Sequence, residues 1–260
     1  MTYETIRLDI ADGIATITLN RPERLNAMSV EMGDELSDAL LHLDGARALL
    51  ITGEGRAFCS GADLAARGER SVGGGDGAYR ALTRCYNPLM LALAKLPMPI
   101  VTAVNGPAAG IGCSLALAGD FVIAGESGYF LQAFVNIGLV PDGGATWMLP
   151  RLIGKARATE MMMLGEKIGG AKAADWGLVH KCVADDALLG EARALTARLA
   201  AGPTIAFAQM RRNILIALES DYGSGMQAEA EGQRIAGSSR DAMEGGMAFL
   251  QKRKAAFEGR

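Results

Sequence analysis

Alternating apolar and polar positions open the chain and predict a β-hairpin. Apolar side chains recur at every second residue over 6–10 and again over 14–19, which is the period of a strand with one buried face. Between them, Ala11-Asp12-Gly13 is a sequence typical of a tight turn. Ser29 then precedes apolar positions at helical spacing, which predicts a capped helix from there to about His42.

Short apolar runs, each followed by a helical pattern, repeat through the middle of the chain. The runs at 48–52, 100–104 and 121–124 are typical of buried strands. Strand-then-helix units continue to residue 185 and predict an α/β core. The glycine-rich stretch 71–79 predicts a mobile loop before a helix over roughly 82–96. From about Asp186, amphipathic helical patterns follow one another without strand signals.

Composition and charge exclude several classes of protein. The chain has 260 residues, half of them hydrophobic, and a formal net charge of −3, which argues against a nucleic-acid-binding protein. No apolar run approaches the roughly 20 residues that span a bilayer. The two histidines lie far apart in sequence, so we expect no histidine-rich metal site. The start of the chain lacks a signal-peptide pattern and the four cysteines form no CxxC pair. We therefore expect a cytoplasmic protein with reduced thiols.

Two glycine-rich segments could supply backbone hydrogen-bond donors for an oxyanion. VNGPAAGIGCSLA (104–116) follows a strand and opens a helix, whose first N–H groups are unpaired and favour negative charge. AFCSGADL (57–64) could bring a second donor, and the pair would stabilise a thioester enolate. Two other interpretations stay open. The glycines could serve packing alone, or the chain could be a serine hydrolase with Ser114 as nucleophile and His180 as its base. A GxGxxG nucleotide site is excluded, because Leu115 stands at the third glycine position.

Asp142, in GLVPDGGATW (138–147), has two interpretations. An aspartate after proline and before two glycines is most often a turn former. However, it is flanked in sequence by the apolar Leu139, Val140, Trp147 and Met148. Apolar surroundings raise the pKa of a carboxyl group and make it a better base near neutral pH. Asp142 is therefore also a candidate catalytic base.

Several motifs in order resemble the crotonase (enoyl-CoA hydratase/isomerase) superfamily over essentially the whole chain. The matching pieces are LNRPERLNAMS (19–29), LLITGEGRAFCSGADL (49–64), PMPIVTAVNGPAAGIGCSLALAGDFVIA (97–124), GLVPDGGATWMLPRLIG (138–154), AADWGLVHKCV (173–183) and FLQKRKAAF (249–257). The resemblance implies a spiral core of ββα units over 1–195 and a helical trimerisation region over 196–260. It also implies a homotrimer or dimer of trimers, a coenzyme A thioester as substrate and no permanently bound cofactor.

The resemblance also assigns roles to individual positions. The N–H groups of Ala62 and Ile111 would form the oxyanion hole. Coenzyme A would bind along two segments and at two tail positions, the latter in some relatives through a neighbouring subunit. These positions are Arg24, Leu25, Ala27, Ala62, Asp63, Leu64, Lys254 and Phe257.

Two departures from the superfamily pattern point to the reaction. Ser114 and Phe134 stand where typical hydratases carry glutamates, and neither side chain can act as a general base. Asp142 coincides with the acidic residue of several isomerases. The chain is also similar to the ring-1,2-epoxyphenylacetyl-CoA isomerase subgroup of phenylacetate breakdown. The shared phrases are YNPL (86–89), LAKLPMPI (93–100), QAF (132–134) and GLVPDGGATWMLPRLIGKARA (138–158).

The resemblance thus implies an acyl-CoA isomerase that shifts a double bond or rearranges a ring epoxide, with Asp142 as acid and base. The alternatives are an enoyl-CoA hydratase, a hydrolase and a non-catalytic acyl-CoA-binding protein. A dehalogenase, in which the acid attacks the ring, usually has tryptophan where this chain has Phe134.

Overall fold

The computed structural model describes residues 2–65 and 72–260 as an α/β core followed by helices. Its strands are β1 (Ile6–Ala11), β2 (Ile14–Leu19), β3 (Ala48–Gly53), β4 (Ile100–Val104), β5 (Pro107–Ala109), β6 (Phe121–Gly125), β7 (Tyr129–Leu131), β8 (Ile168–Gly169) and β9 (Lys181–Val183). Its α-helices are α1 (Val30–Leu41), α2 (Gly74–Ala81), α3 (Asn87–Lys95), α4 (Ile111–Leu117), α5 (Ala145–Leu164), α6 (Gly170–Asp175), α7 (Leu188–Ala200), α8 (Thr204–Glu219), α9 (Tyr222–Gly237) and α10 (Arg240–Leu250).

The main sheet has the strand order β1-β2-β3-β4-β6-β9. Only β1 and β2 are antiparallel, with Ile6 opposite Leu19, and this confirms the predicted hairpin. The other neighbours are parallel. All five residues of β4 are buried, as expected for a parallel strand covered on both faces. A second sheet has the order β5-β7-β8, and its strand β5 contacts α4.

Alternate side chains of β3 enter two different hydrophobic clusters. Leu49 and Ile51 belong to the cluster that includes the buried faces of α1 and α3. Leu50 belongs to a second cluster, on the α7 side, together with Leu188 and Ala192. The sheet is therefore covered by helices on both faces, and the predicted α/β core is confirmed.

The start of α1 agrees with the sequence signal. The backbone N–H of Met32 donates a hydrogen bond to Oγ of Ser29 at 3.1 Å, so Ser29 caps the helix as predicted. The capped helix therefore begins directly after residues 25–28, which pair with residues 60–63.

The predicted loop over 71–79 is wrong for residues 74–79, which form most of α2. Ser71 lies outside the described residues. The helix continues through a π-helical turn, Leu82–Tyr86, directly into α3. Gly77 and Ala81 are the buried residues of α2, and their small size lets the helix lie close to its neighbours. The helix therefore forms as the first part of a longer helical segment, despite the low helix propensity of glycine.

The chain is helical after β9, as the sequence pattern predicts. Helix α7 packs on the sheet, and α8 packs against α9. The guanidinium of Arg47 joins this region to the core, because its Nη1 donates to the carbonyl of Phe257 at 3.0 Å and its Nη2 to that of Gly202 at 2.5 Å. The expected boundary between 195 and 196 falls inside α7 and stays a prediction. Within the described residues, none of the helices has both the length and the apolarity that a membrane crossing requires.

Candidate active site

Two segments that are distant in sequence pair beside the site. The N–H of Met28 donates to the carbonyl of Gly61 at 2.7 Å, and the N–H of Asp63 donates to the carbonyl of Met28 at 2.9 Å. In this parallel bridge the carbonyl of Gly61 and the N–H of Asp63, on either side of Ala62, both point towards Met28. The N–H of Ala62 therefore lies on the opposite edge of the segment, away from Met28.

The second backbone donor comes from the start of α4. Ile111 is the first residue of this helix, so its N–H has no partner one turn earlier. Gly110 precedes it with a φ of +52°, a conformation that favours glycine. A β carbon built on Gly110 would lie 3.8 Å from Cα of Gly61. The two glycine turns are thus neighbours, and they bring Ala62 and Ile111 to one place.

A cavity of about 140 Å³ lies at this place. The residues that line it are Ser60, Gly61, Ala62, Leu64, Val72, Ala78, Ala81, Leu82, Tyr86, Gly110, Ile111, Ala133, Phe134, Ile137, Leu139 and Asp142. Asp142 carries the one carboxylate among these lining residues, all of which belong to the described part of the chain. The structure therefore brings Ala62, Ile111 and Asp142 to a common apolar cavity.

Asp142 forms a turn and faces the cavity at once. Its carbonyl accepts a hydrogen bond from the N–H of Ala145 at 3.1 Å, across Gly143 and Gly144, which both have positive φ. Its side-chain Oδ1 is buried and has no hydrogen-bond partner among the described residues. Burial raises the pKa of the Asp142 carboxyl to about 6. The backbone therefore makes the turn of the first interpretation, and the catalytic role of the carboxylate in the second stays a prediction.

The apolar surroundings of Asp142 differ from those expected from the sequence. Of its apolar sequence neighbours, only Leu139 lines the cavity. Val140 is 80% exposed, and Trp147 and Met148 line a separate groove of about 760 Å³ beside α3, α5 and α8. That expectation was wrong because α5 begins at Ala145 and directs the following side chains to another face.

Residues from distant parts of the chain supply the apolar environment instead. Tyr86, Ile111 and Phe134 line the cavity with Asp142. The phenol of Tyr86 donates to the carbonyl of Met28 at 2.8 Å, and its pKa is raised, first by burial and then by nearby acidic groups that include Asp142. No chemical signal in the sequence marks Tyr86, which stood out only within the phrase YNPL.

Ser114 and Phe134 occupy the positions that the resemblance assigns to hydratase glutamates. Ser114 is fully buried, and its hydroxyl donates to the carbonyl of Asp142 at 2.9 Å. His180 is exposed and packs edge-on against Phe121, with ring centroids 5.3 Å apart. A buried serine bonded to a carbonyl does not suit a nucleophile, so the serine-hydrolase alternative loses its support.

The segments expected to hold coenzyme A lie side by side. The N–H of Ser60 donates to the carbonyl of Leu25 at 3.0 Å, and this contact joins residues 24–27 to residues 60–64. Asp63 is 6% exposed, and its carboxylate accepts from Arg21 at 2.8 Å and from Arg24 at 3.4 Å. Burial opposes ionisation of Asp63, but these contacts outweigh it and lower its pKa. Asp63 therefore organises the segment through its side chain, while Leu64 lines the cavity.

The two tail positions are not part of the cavity lining. Lys254 is exposed. Phe257 packs near Gly245 of α10, where a β carbon on Gly245 would lie 3.4 Å from Cε1 of Phe257. Within one chain, the structure therefore separates Lys254 and Phe257 from Asp142. Among the described residues, no cluster of three or more histidine, cysteine, aspartate or glutamate side chains could hold a metal ion.

Comparison with known proteins identifies the family. The sequence pattern of the enoyl-CoA hydratase/isomerase family matches residues 9–260. The chain belongs to this family. It is 45% identical to the "Probable enoyl-CoA hydratase" of Rhodobacter capsulatus over 100% of both chains. It is 42% identical to the 1,2-epoxyphenylacetyl-CoA isomerase of Escherichia coli over 99% of both chains.

A solved structure confirms the fold. The enoyl-CoA hydratase of Bacillus anthracis superimposes with a TM-score of 0.92 at 30% identity, over 99% of this chain and 100% of that one. The predicted crotonase-like fold with a helical C-terminal region is therefore confirmed. This family member is an enzyme of the hydratase/isomerase type that acts on acyl-CoA thioesters.

Proposed function

We propose that this enzyme is an acyl-CoA isomerase in which Asp142 is both base and acid. The observation that carries the proposal is the Asp142 carboxylate, the one carboxylate among the described lining residues, with a buried Oδ1 and a pKa raised to about 6. A base of this pKa is ionised at neutral pH, and its conjugate acid is a competent proton donor. Isomerisation needs one such group, since the proton that is removed is also the proton that is returned.

The reaction begins with the thioester oxygen between the N–H groups of Ala62 and Ile111. For a 3-enoyl-CoA, Asp142 removes a proton from C2. The electrons of that C–H bond form the dienolate, and the negative charge develops on the oxygen held by the two donors. The carboxyl group of Asp142 then returns the proton to C4. The carbonyl re-forms, and the double bond has moved from C3–C4 to C2–C3.

The apolar wall of the cavity favours a cyclic or long acyl group. Phe134 lines it, and its Cζ would lie 3.5 Å from a β carbon on Gly110, so the ring closes over the oxyanion turn. On a ring-1,2-epoxyphenylacetyl-CoA, Asp142 would assist ring expansion. The name of the Escherichia coli relative supports this substrate class.

Hydration of 2-enoyl-CoA is the second candidate function, favoured by the name of the Rhodobacter capsulatus relative. Syn addition of water needs groups that orient the water and move two protons. In the described cavity lining, Asp142 is the one side chain that carries a carboxylate. This arrangement supports isomerisation over hydration by the usual pair of glutamates.

The assembly we propose is a homotrimer or a dimer of trimers. Helices α8 and α10 each expose an apolar row at helical spacing. These rows are Met210, Ile214 and Leu218 on α8, and Met243, Met247 and Leu250 on α10. Exposed apolar rows of this kind are typical of surfaces buried by another chain. Light scattering of the purified protein should give three or six chains per particle, and a monomer would contradict this assembly.

A panel of three substrates tests the proposed function. We expect turnover of 3-enoyl-CoA or of ring-1,2-epoxyphenylacetyl-CoA, with slow or undetectable hydration of 2-enoyl-CoA. Fast hydration of 2-enoyl-CoA with no isomerisation would show a hydratase. Binding of all three esters without turnover, and without exchange of α-protons in deuterated water, would show a non-catalytic binding protein.

A further inference from the structure

The hydroxyl of Ser114 joins the two halves of the proposed catalytic machinery. It lies on the first turn of α4, three residues after Ile111, and donates to the carbonyl of Asp142 at 2.9 Å. Ser114 is fully buried, so this hydrogen bond is not exchanged with solvent. The Asp142 carbonyl also accepts from the N–H of Ala145, so it is the buried Ser114 hydroxyl that would lose its partner if the contact broke. A buried polar group without a partner costs about 1–3 kcal/mol, so the contact is expected to persist.

Packing holds the same turn in place from a second side. A β carbon on Gly143 would lie 2.4 Å from Cδ1 of Ile111 and 2.8 Å from Cβ of Ser114. The peptide between Asp142 and Gly143 therefore lies directly on the first turn of α4. One helix turn contacts both the proposed oxyanion donor and the turn that carries the proposed base.

We infer that Ser114 is a positioning residue: its hydroxyl anchors the Asp142 carbonyl to α4 and so directs the Asp142 carboxylate into the cavity. This inference rests on the proposed function of Asp142. It also gives a role to the position where the resemblance places a hydratase glutamate. Where a hydratase has a glutamate that acts on substrate, this chain has a serine whose hydroxyl orients Asp142.

The pKa of the Asp142 carboxyl can report whether the side chain keeps its position in the cavity. Among the described lining residues, the titratable side chain apart from Asp142 is that of Tyr86, and its raised pKa keeps it neutral over the pH range of interest. The rest of the lining that the structure describes has uncharged side chains. A change in the titration of Asp142 therefore reports its access to water, because burial is the cause of its raised pKa.

The test compares Ser114→Ala with Thr102→Val. Thr102 is also fully buried, and its hydroxyl donates to a carbonyl of α4, that of Ala116, at 2.7 Å. Both variants remove a buried hydroxyl bonded to a main-chain carbonyl, but only Ser114 touches Asp142. For Ser114→Ala we expect kcat to fall about 10–100-fold with little change in KM, as for a misplaced catalytic group. The pKa in its pH–rate profile should also move from about 6 towards the ordinary value of 3.8.

Thr102→Val should keep the wild-type kcat and profile even where its stability falls. Equal effects of the two variants, or a wild-type profile in Ser114→Ala, would overturn the inference. If Ser114→Ala does not fold, Ser114→Cys carries the comparison, because a thiol of similar size is a weaker donor. It should change kcat and the profile in the same direction, and a wild-type profile would again overturn the inference.

An NMR titration of the Asp142 carboxyl carbon, assigned by its loss in Asp142→Asn, separates this inference from the proposed function. If Asp142→Asn keeps full turnover, the proposed function fails. A lowered pKa of Asp142 in Ser114→Ala would then still support positioning by Ser114. An unchanged pKa in Ser114→Ala would overturn it in either case.

Discussion

Gly143 lies in contact with Ile111, and no side chain could be placed between them. A β carbon on Gly143 would stand 2.4 Å from Cδ1 of Ile111. Gly143 also has a φ of +58°, which residues with a side chain rarely adopt. The turn that carries Asp142 is therefore docked on the helix that begins with Ile111, and its glycine is required for two independent reasons.

Gly143→Ala should destabilise the protein by more than the backbone strain alone. The matched control is Gly138→Ala, since Gly138 has a φ of +72° and nothing within 4 Å of its β-carbon position. The control should lose about 1–2 kcal/mol of unfolding free energy through its positive φ. Gly143→Ala should lose a further ~1–3 kcal/mol through overpacking. Urea denaturation measures both, and equal losses would show that the contact with Ile111 is not tight.

The pH dependence of stability should carry the signature of Asp142. Folding raises the pKa of this carboxyl from 3.8 to about 6, so the folded state binds the proton more tightly than the unfolded state. The stability that the protonated group contributes is complete below about pH 4 and is lost as the pH rises through about 6. Between these limits the wild type should lose about 3 kcal/mol relative to Asp142→Asn. Denaturation curves of both proteins from pH 4 upward test this, and parallel curves would contradict it.

The same titration should govern activity in the opposite direction. Only the ionised carboxylate accepts a proton, so kcat/KM for 3-enoyl-CoA should fall about tenfold per pH unit below about 6. Stability should therefore decrease over the pH range in which activity increases. A flat kcat/KM profile from pH 5 to pH 8 would exclude a base with this pKa.

Much of the fold was predictable because it depends on local patterns. The period of two over β1 and β2, the cap at Ser29 and the buried run of β4 each mark their element directly. Helix α2 was missed because its sequence, GGDGAYRA, has low intrinsic helix propensity. It continues without a break into the turn Leu82–Tyr86, which packs in the core, so α2 is the start of a longer helical segment.

For the site, the sequence predicted the candidate acid but not the side chains around it. Asp142 stood out because the resemblance left no other carboxylate at the positions that act on substrate. Its environment was predicted from sequence neighbours, yet Trp147 and Met148 line another groove. Tyr86 and Phe134 come to the cavity through the topology of the chain, and the Ser114–Asp142 hydrogen bond depends on a docked turn. Such contacts between distant segments follow only from the folded structure.

Phe134→Ala should weaken the preference for aromatic acyl groups. Loss of the ring removes apolar contact worth roughly 1–2 kcal/mol, so KM for the ring-epoxide substrate should rise about tenfold. A short linear 3-enoyl-CoA, which does not fill the cavity to this wall, should show a smaller change. The control is Val135→Ala, because Val135 is 40% exposed and is not among the cavity-lining residues. Equal changes in KM for both substrates would argue that Phe134 does not set acyl preference.

The variant Asp142→Asn tests the proposed catalytic role of Asp142 directly. The variant keeps the size and shape of the side chain but cannot accept the proton. Turnover of the best substrate in the panel should fall by about 10²–10⁴, while the affinity for a non-reactive acyl-CoA, measured by calorimetry, stays close to wild type. Asp44→Asn, at an exposed carboxylate outside the cavity lining, is the control and should keep full activity. Turnover of Asp142→Asn near the wild-type rate, with binding intact, would contradict the assignment of Asp142 as the base.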